Sequence, residues 1–242
     1  MPTILITGAN RGLGLGLARH FQAKGWHVIA AVRDPKALAA VLSGPGIEMV
    51  PLELGDPHSI KSLGEWISGR PLDVFISNAA KTGGDLGSFG AFDVDRFLEY
   101  CRINAAAPMK LLEVLAGSLI ATGGKALMVS SRIGATPFYG YVEYFASKTA
   151  LNQLVKQASL ALAAEGVTVA ACHPGWVETE ATGAMGRAPL TPDSAAPLLA
   201  AILDQMTIAD AGKFFDPDGS ELPIVPQQHD VRFYSKPRDA VI

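Results

Sequence analysis

Between residues 130 and 148 the chain reads SSRIGATPFYGYVEYFASK, a stretch with three tyrosines and one lysine between apolar runs. Only Tyr144 has a lysine four positions on, at Lys148; Tyr139 and Tyr141 have Glu143 and Phe145 there instead. Residues four apart share one face of a helix, so this phenol and this ammonium can point into one cleft. A free phenol has a pKa of about 10, and a neighbouring cation favours its ionised form and lowers that value. Each pKa unit corresponds to about 1.4 kcal/mol of differential interaction. Such a pair suits proton transfer to an oxygen that gains negative charge, as a carbonyl oxygen does when its carbon is reduced. By itself the pattern is common, so its meaning depends on the elements around it.

Short apolar or β-branched runs alternate with amphipathic stretches along most of the sequence. TILIT (3–7), HVIAAV (27–32), IEMVPL (47–52), LDVFIS (72–77), KALMVSS (125–131) and VTVAACH (167–173) read as strands, and GKFF (212–215) ends the series. Residues 13–24, 35–43, 59–68, 94–121 and 141–165 read as helices. This alternation predicts a parallel sheet with helices on both faces. Strands that are apolar throughout agree with it, because both of their faces are covered. In such sheets ligands bind beyond the carboxyl ends of the strands, where the strand order reverses. The residues to inspect are therefore those that follow each strand.

After the first strand comes TGANRGLGLGLARHF, with glycines at 8, 12 and 14 in a strand-to-helix turn. Glycine there lets the backbone approach a pyrophosphate, whose charge the helix N-terminus favours. The spacing is Thr-Gly-x3-Gly-x-Gly rather than G-x-G-x-x-G. In a chain of 242 residues this variant resembles the short-chain dehydrogenase/reductase family, and the likeness extends from residue 3 to about residue 224. The fold it implies is a single α/β domain, a Rossmann-type doubly wound parallel sheet of about seven strands. Gly8, Asn10, Arg11, Gly12 and Leu13 then become cofactor-binding residues. At the end of the second strand an NAD enzyme commonly carries an acid. Here Val32 stands at that place and Arg33 follows. Arg33 and Arg11 together favour a 2′-phosphate through charge-assisted bonds, hence NADP rather than NAD. The plainer alternative for Arg33 is a solvated loop residue paired with Asp34.

The other strand ends fit the same resemblance. It implies that Glu53 and Leu54 lie along the adenine, Glu53 standing where an Asp is more usual and Leu54 contacting through its backbone. Asn78 and Ala79 match the family's Asn-Asn-Ala-Gly, while Ser77 and Ala80 depart from it. Ser131 lies thirteen residues before Tyr144, the family's separation of serine and tyrosine. Implied roles follow: Ser131 donates to the carbonyl oxygen, Tyr144 acts as general acid/base, and Lys148 bonds the nicotinamide ribose and lowers the tyrosine pKa. Asn104, in RINAAAP, matches the asparagine that holds a water between Lys148 and solvent; a backbone-bonded helix residue is the alternative. In HPGWVETE, Pro174, Gly175, Val177 and Thr179 match the turn facing the nicotinamide, with Thr179 on the carboxamide. His173 has no acid or serine partner at a recognisable spacing and reads as structural. The likeness is greatest to the C-factor and sniffer branch, relatives of NADPH-dependent carbonyl reductases.

Two regions depart from the alternating rhythm. Residues 175–192 read as a mobile substrate segment of the NADP-binding domain (1–224), and residues 225–242 as a C-terminal extension that Phe233 and Tyr234 anchor. Ile133, Phe138, Tyr141, Trp176, Met185 and Leu190 form an expected apolar, partly aromatic pocket, without a fixed cation unless Arg132 or Arg187 points inward.

The formal net charge of −3 argues against nucleic acid or an anionic membrane surface as a partner. Two cysteines, Cys101 and Cys172, suit buried thiols better than a disulfide framework. No His/Cys/Asp cluster has metal-ligand spacing. With no signal peptide and no run of roughly 20 apolar residues, a cytoplasmic protein is expected. The expected activity is an NADP-dependent oxidoreductase acting on a small ketone, aldehyde or matching alcohol. A dinucleotide-binding sensor or signalling protein without catalysis is the alternative. No long insertion precedes Tyr144, so helices 94–121 and 141–165 can pair between subunits in a homodimer or homotetramer.

Overall fold

The computed structural model describes residues 1–82, 90, 92–135, 142–179 and 188–224. Phe138, Tyr141, Met185, Arg187, most of the expected mobile segment and the extension with Phe233 and Tyr234 lie outside the described residues. The strands are β1 (Thr3–Thr7), β2 (His27–Val32), β3 (Ile47–Pro51), β4 (Val74–Ser77), β5 (Lys125–Val129), β6 (Thr168–Cys172), β7 (Phe214–Phe215) and β8 (Glu221–Leu222). They form one sheet in the order β3-β2-β1-β4-β5-β6-β7-β8. Every pairing is parallel except the last, where β8 returns antiparallel on β7. That short return makes eight strands where about seven were expected. The order reverses between β1 and β4, which puts the expected crevice at the ends of those two strands.

The apolar runs divide their side chains between two cores. In β1, Ile4 and Ile6 enter one core while Leu5 enters the other. The first core is completed by α1 (Gly12–Ala23) and α7 (Pro192–Gln205) through Leu17, Phe21, Leu199 and Leu203. The second is completed by α3 (Pro57–Ile67), α5 (Ala107–Ile120) and α6 (Val142–Leu162) through Leu63, Leu111, Leu115 and Val155. Periodicity does not announce α7. Its start is a local device, with Thr191 and Ser194 exchanging backbone hydrogen bonds and Pro192 in the first turn. Gly16 of α1 lets α7 come to backbone contact, since a Cβ there would stand 2.7 Å from the Pro192 carbonyl oxygen.

The expected long helix 94–121 is three pieces. α4 (Val94–Cys101) passes into a π-helical turn, Arg102–Ala106, and then into α5. By length and composition Val94–Ile120 could cross a membrane, but half of its apolar window is buried in the fold, as in a core helix. Three helices start on an aspartate: α2 (Pro35–Ala39) on Asp34, α3 on Asp56 and α4 on Asp93, each accepting from backbone N–H groups of the first turn. α1 has no side-chain cap.

Candidate active site

At the mouth of β1 the glycines are forced by geometry. Gly8 and Gly12 have φ of +69° and +51°, the left-handed region that side chains resist. Gly14 has ordinary backbone angles, but a Cβ would lie 2.2 Å from the Gly8 carbonyl oxygen and 2.6 Å from Asn78 Nδ2. The turn is fastened to β4 from below. Thr7 Oγ1 accepts from the N–H groups of Asn78 and Ala79, both at 3.0 Å. Asn78 Nδ2 donates to the carbonyls of Thr7 and Gly8 at 3.0 and 3.4 Å. The Asn78 amide nitrogen thus braces the turn from below. Leu13 and Val177 are buried in the core, so only their backbones can reach a ligand. Asn10 and Arg11 are exposed.

At the end of β2, Val32 is buried and Arg33 is exposed. A cleft of about 420 Å³ lies here, lined by Asn10, Arg33, Asp34, Ala37, Leu38 and Val41. Asp34 does not pair with Arg33. Its Oδ1 caps α2, accepting from Lys36 N at 3.0 Å and Ala37 N at 3.1 Å. Among the described residues Arg33 makes no ion pair, so pairing with Asp34 is not what holds it. At the end of β3 the Glu53 carboxylate turns back to accept from Gly55 N at 3.1 Å, and Leu54 packs into the core.

Helix α6 carries Tyr144 and Lys148 one turn apart. Lys148 is buried, and its Nζ donates to the Val129 carbonyl oxygen at 2.9 Å and stands 5.8 Å from the Tyr144 ring centre. The loop after β5 brings Ser131 to the same helix. Gly134 rests on the α6 backbone, where a Cβ would lie 2.9 Å from the Lys148 carbonyl carbon. Thr149 Oγ1 donates to the Gly134 carbonyl at 3.0 Å. Ser131 Oγ accepts weakly from Ile133 N at 3.4 Å. The Tyr144 hydroxyl makes no hydrogen bond to any described residue, and its ring meets Tyr100 edge-on at 6.1 Å.

Burial dominates the electrostatics of the two side chains. Burial holds the Tyr144 phenol above its ordinary pKa, with Tyr100 adding to the rise. Burial also brings the Lys148 ammonium down to about 8. Among the protein's own groups, burial is the larger cause and Tyr100 the smaller, so Tyr144 keeps its proton at neutral pH.

Asn104 sits inside the π-helical turn and is almost fully buried. Its Oδ1 accepts from Lys81 N at 2.7 Å, and its Nδ2 donates to the Lys81 carbonyl at 3.0 Å and to Ser147 Oγ at 3.1 Å. Ser147 in turn donates to the Tyr144 carbonyl at 2.6 Å. The asparagine side chain ties the β4 loop to the tyrosine's helix. Sequence reasoning missed Thr7, Lys81 and Ser147; the backbone contacts that give them meaning carry no spacing signal.

After β6, Gly175 has φ of +83°, and a Cβ there would lie 2.6 Å from Leu190 Cδ1 and 3.3 Å from Pro217 Cγ. Val177 bridges Leu190 as a parallel pair. The Thr179 methyl stands 3.1 Å from where Gly12 would carry a Cβ, so the β6 loop meets the glycine turn. Trp176 is exposed. Burial lowers His173 to about 4, leaving it neutral. Its nearby acid is Asp216 at the end of β7, a partner that spacing does not reveal. Asp216 also holds Arg132, which therefore gives the pocket no uncompensated cation.

A family model of short chain dehydrogenases matches residues 2–189. The chain belongs to the short-chain dehydrogenase family. It is 33% identical over 184 residues to galactitol 2-dehydrogenase of Agrobacterium fabrum, covering 73% of this chain and 70% of that one. Its structure is similar to the NADPH-bound carbonyl reductase from chicken fatty liver, at a TM-score of 0.80 and 29% identity, covering 92% and 99% of the two chains. The carbonyl reductase Sniffer of D. melanogaster superposes at 0.84 with 25% identity and the same coverage. The family, the expected fold and the kinship with carbonyl reductases stand together, and this short-chain dehydrogenase is an oxidoreductase.

Proposed function

We propose that the protein is an NADP(H)-dependent reductase of small ketones or aldehydes, working equally on the matching alcohols in reverse. The residues present fit the cofactor. The first-turn N–H groups of α1, with no side chain closing them, suit a pyrophosphate. Arg33, unpaired beside its cleft, with Arg11 across the turn, suits the 2′-phosphate that distinguishes NADP. Gly8, Asn10, Gly12, Leu13 and Ala79 would shape the turn around it, and Glu53 and Leu54 would border the adenine. Lys148 would hold the ribose hydroxyls, and Pro174, Gly175, Val177 and Thr179 the nicotinamide end. Bound there, NADPH supplies the hydride.

In the reduction the hydride adds to the carbonyl carbon while the oxygen takes the proton of Tyr144. Ser131 donates to that oxygen and orients it. A phenol kept protonated by burial is ready as the acid, and the ammonium of Lys148 stabilises the phenolate left behind. Asn104 holds the kinked helix that would bring a reprotonating water to the lysine. The observation that carries the reading is the pairing on α6: a phenol that bonds no described residue, beside a lysine fixed to the Val129 carbonyl. The apolar side chains Val94 and Leu98 on α4 and Leu154 and Leu160 on α6 are exposed, which supports pairing of these helices in a homodimer or homotetramer.

NADPH consumption against a panel of ketones, aldehydes and quinones tests the activity, with Tyr144→Phe as control. Loss of a positioned general acid lowers kcat by roughly 10²–10⁴-fold. Equal rates in both proteins would remove Tyr144 from the mechanism.

A further inference from the structure

Arg132 directly follows Ser131, and Asp216 closes β7 at a separation of 84 residues. Their side chains meet as a fork: Nε donates to Oδ1 at 2.9 Å and Nη2 donates to Oδ2. The two ends are unequal. The Asp216 side chain is 10% exposed and that of Arg132 58%. Asp216 is otherwise fixed through its backbone, donating to the Ser220 carbonyl at 2.8 Å and accepting from Gly219 N at 2.9 Å across the β7–β8 turn. The next residue, Pro217, is one of the two side chains against Gly175. His173 also belongs to this corner, its N–H donating to the Phe215 carbonyl at 2.7 Å.

Two adjacent residues of one hairpin therefore reach two different loops. Asp216 grips the loop that carries Ser131, and Pro217 backs the turn after β6. A buried carboxylate is costly to keep and adds little net stability even when paired. A bidentate guanidinium–carboxylate pair, however, fixes direction as well as distance. Ser131 needs that direction, because among the described residues its own hydroxyl is held only by a 3.4 Å contact to Ile133 N.

We infer that Arg132 and Asp216 are positioning residues that lock the serine loop to the turn after β6, setting the serine hydroxyl against the reacting carbonyl. The inference rests on the proposed reductase activity. Misplacing a reacting group by about 1 Å can cost on the order of 100-fold in rate, so the pair should act on kcat.

The test compares full-length wild type with Arg132→Met, Arg132→Lys and Asp216→Asn, using NADPH and the carbonyl compound that wild type reduces fastest. Arg132→Met and Asp216→Asn should lower kcat by roughly 10- to 100-fold, with NADPH affinity within about 3-fold of wild type. Arg132→Lys keeps the charge without the fork and should fall between. The double variant Arg132→Met/Asp216→Leu leaves no unpaired charge, so it keeps the test open should a single variant fail to fold. It should stay folded and remain slow. Wild-type kcat in the folded variants overturns the inference, leaving the pair as a hairpin brace. Inactivity of wild type on every carbonyl overturns the reductase reading and the inference with it; active wild type and active variants overturn the inference alone.

Discussion

Two neighbouring strand-to-helix turns, one after β1 and one after β2, have been finished in opposite ways. After β2 the chain closes its helix with its own carboxylate, Asp34 taking two N–H groups of α2. After β1 no side chain does this for α1, and three glycines keep the approach clear. The difference shows where the chain supplies its own anion and where it leaves the position to another molecule. It also leaves Arg33, at the border of the two turns, with its charge uncompensated among the described residues.

The severest way to break this contrast is to fill the first turn. Gly14→Ala places a methyl on the Gly8 carbonyl and the Asn78 amide, so it should abolish detectable NADPH binding by fluorescence titration or prevent folding by circular dichroism. A folded variant with wild-type affinity would mean that the turn has slack the geometry denies. Next comes Arg33→Ala, which should weaken NADPH by about 10-fold or more, the worth of a charge-assisted bond, and leave NADH unchanged. Equal losses for both would assign Arg33 to the common part of the dinucleotide. The smallest effect belongs to Asp34→Ala. Losing a cap costs about 1 kcal/mol, read in urea unfolding, and NADPH should bind no more weakly than before. Weakened NADPH binding there would place the α2 start inside the ligand site and erase the distinction.

How much of this was legible in the sequence depends on whether backbone geometry or long-range contact decides. The sheet was readable because Ile4, Leu5 and Ile6 must each find an apolar side. The glycine turn was readable because positive φ and close carbonyls admit no other residue. Tyr144 and Lys148 were readable because helical spacing is local. Asp216 as the partner of Arg132 was not, since nothing along the chain links them until β7 is laid beside β6. The burial of Tyr144 was not legible, since helical spacing reveals the ammonium but not the packing around the phenol. The bracing of the glycine turn by the Asn78 amide was not legible either, since Thr7 and Gly8 lie about seventy residues away along the chain. The helix α7 was missed because its signal lies in three residues at its cap.

The π-helical turn at Arg102–Ala106 has a last consequence. Ala107 donates to the carbonyl five residues back, so the turn contains one residue more than a regular helix needs. Removing that residue would restore ordinary winding and leave the two flanking helices facing as they do, because the wide turn already absorbs the extra residue. A single codon lost between 102 and 106 would therefore act locally: it would erase the wide turn that seats Asn104 while α4 and α5 kept their present faces.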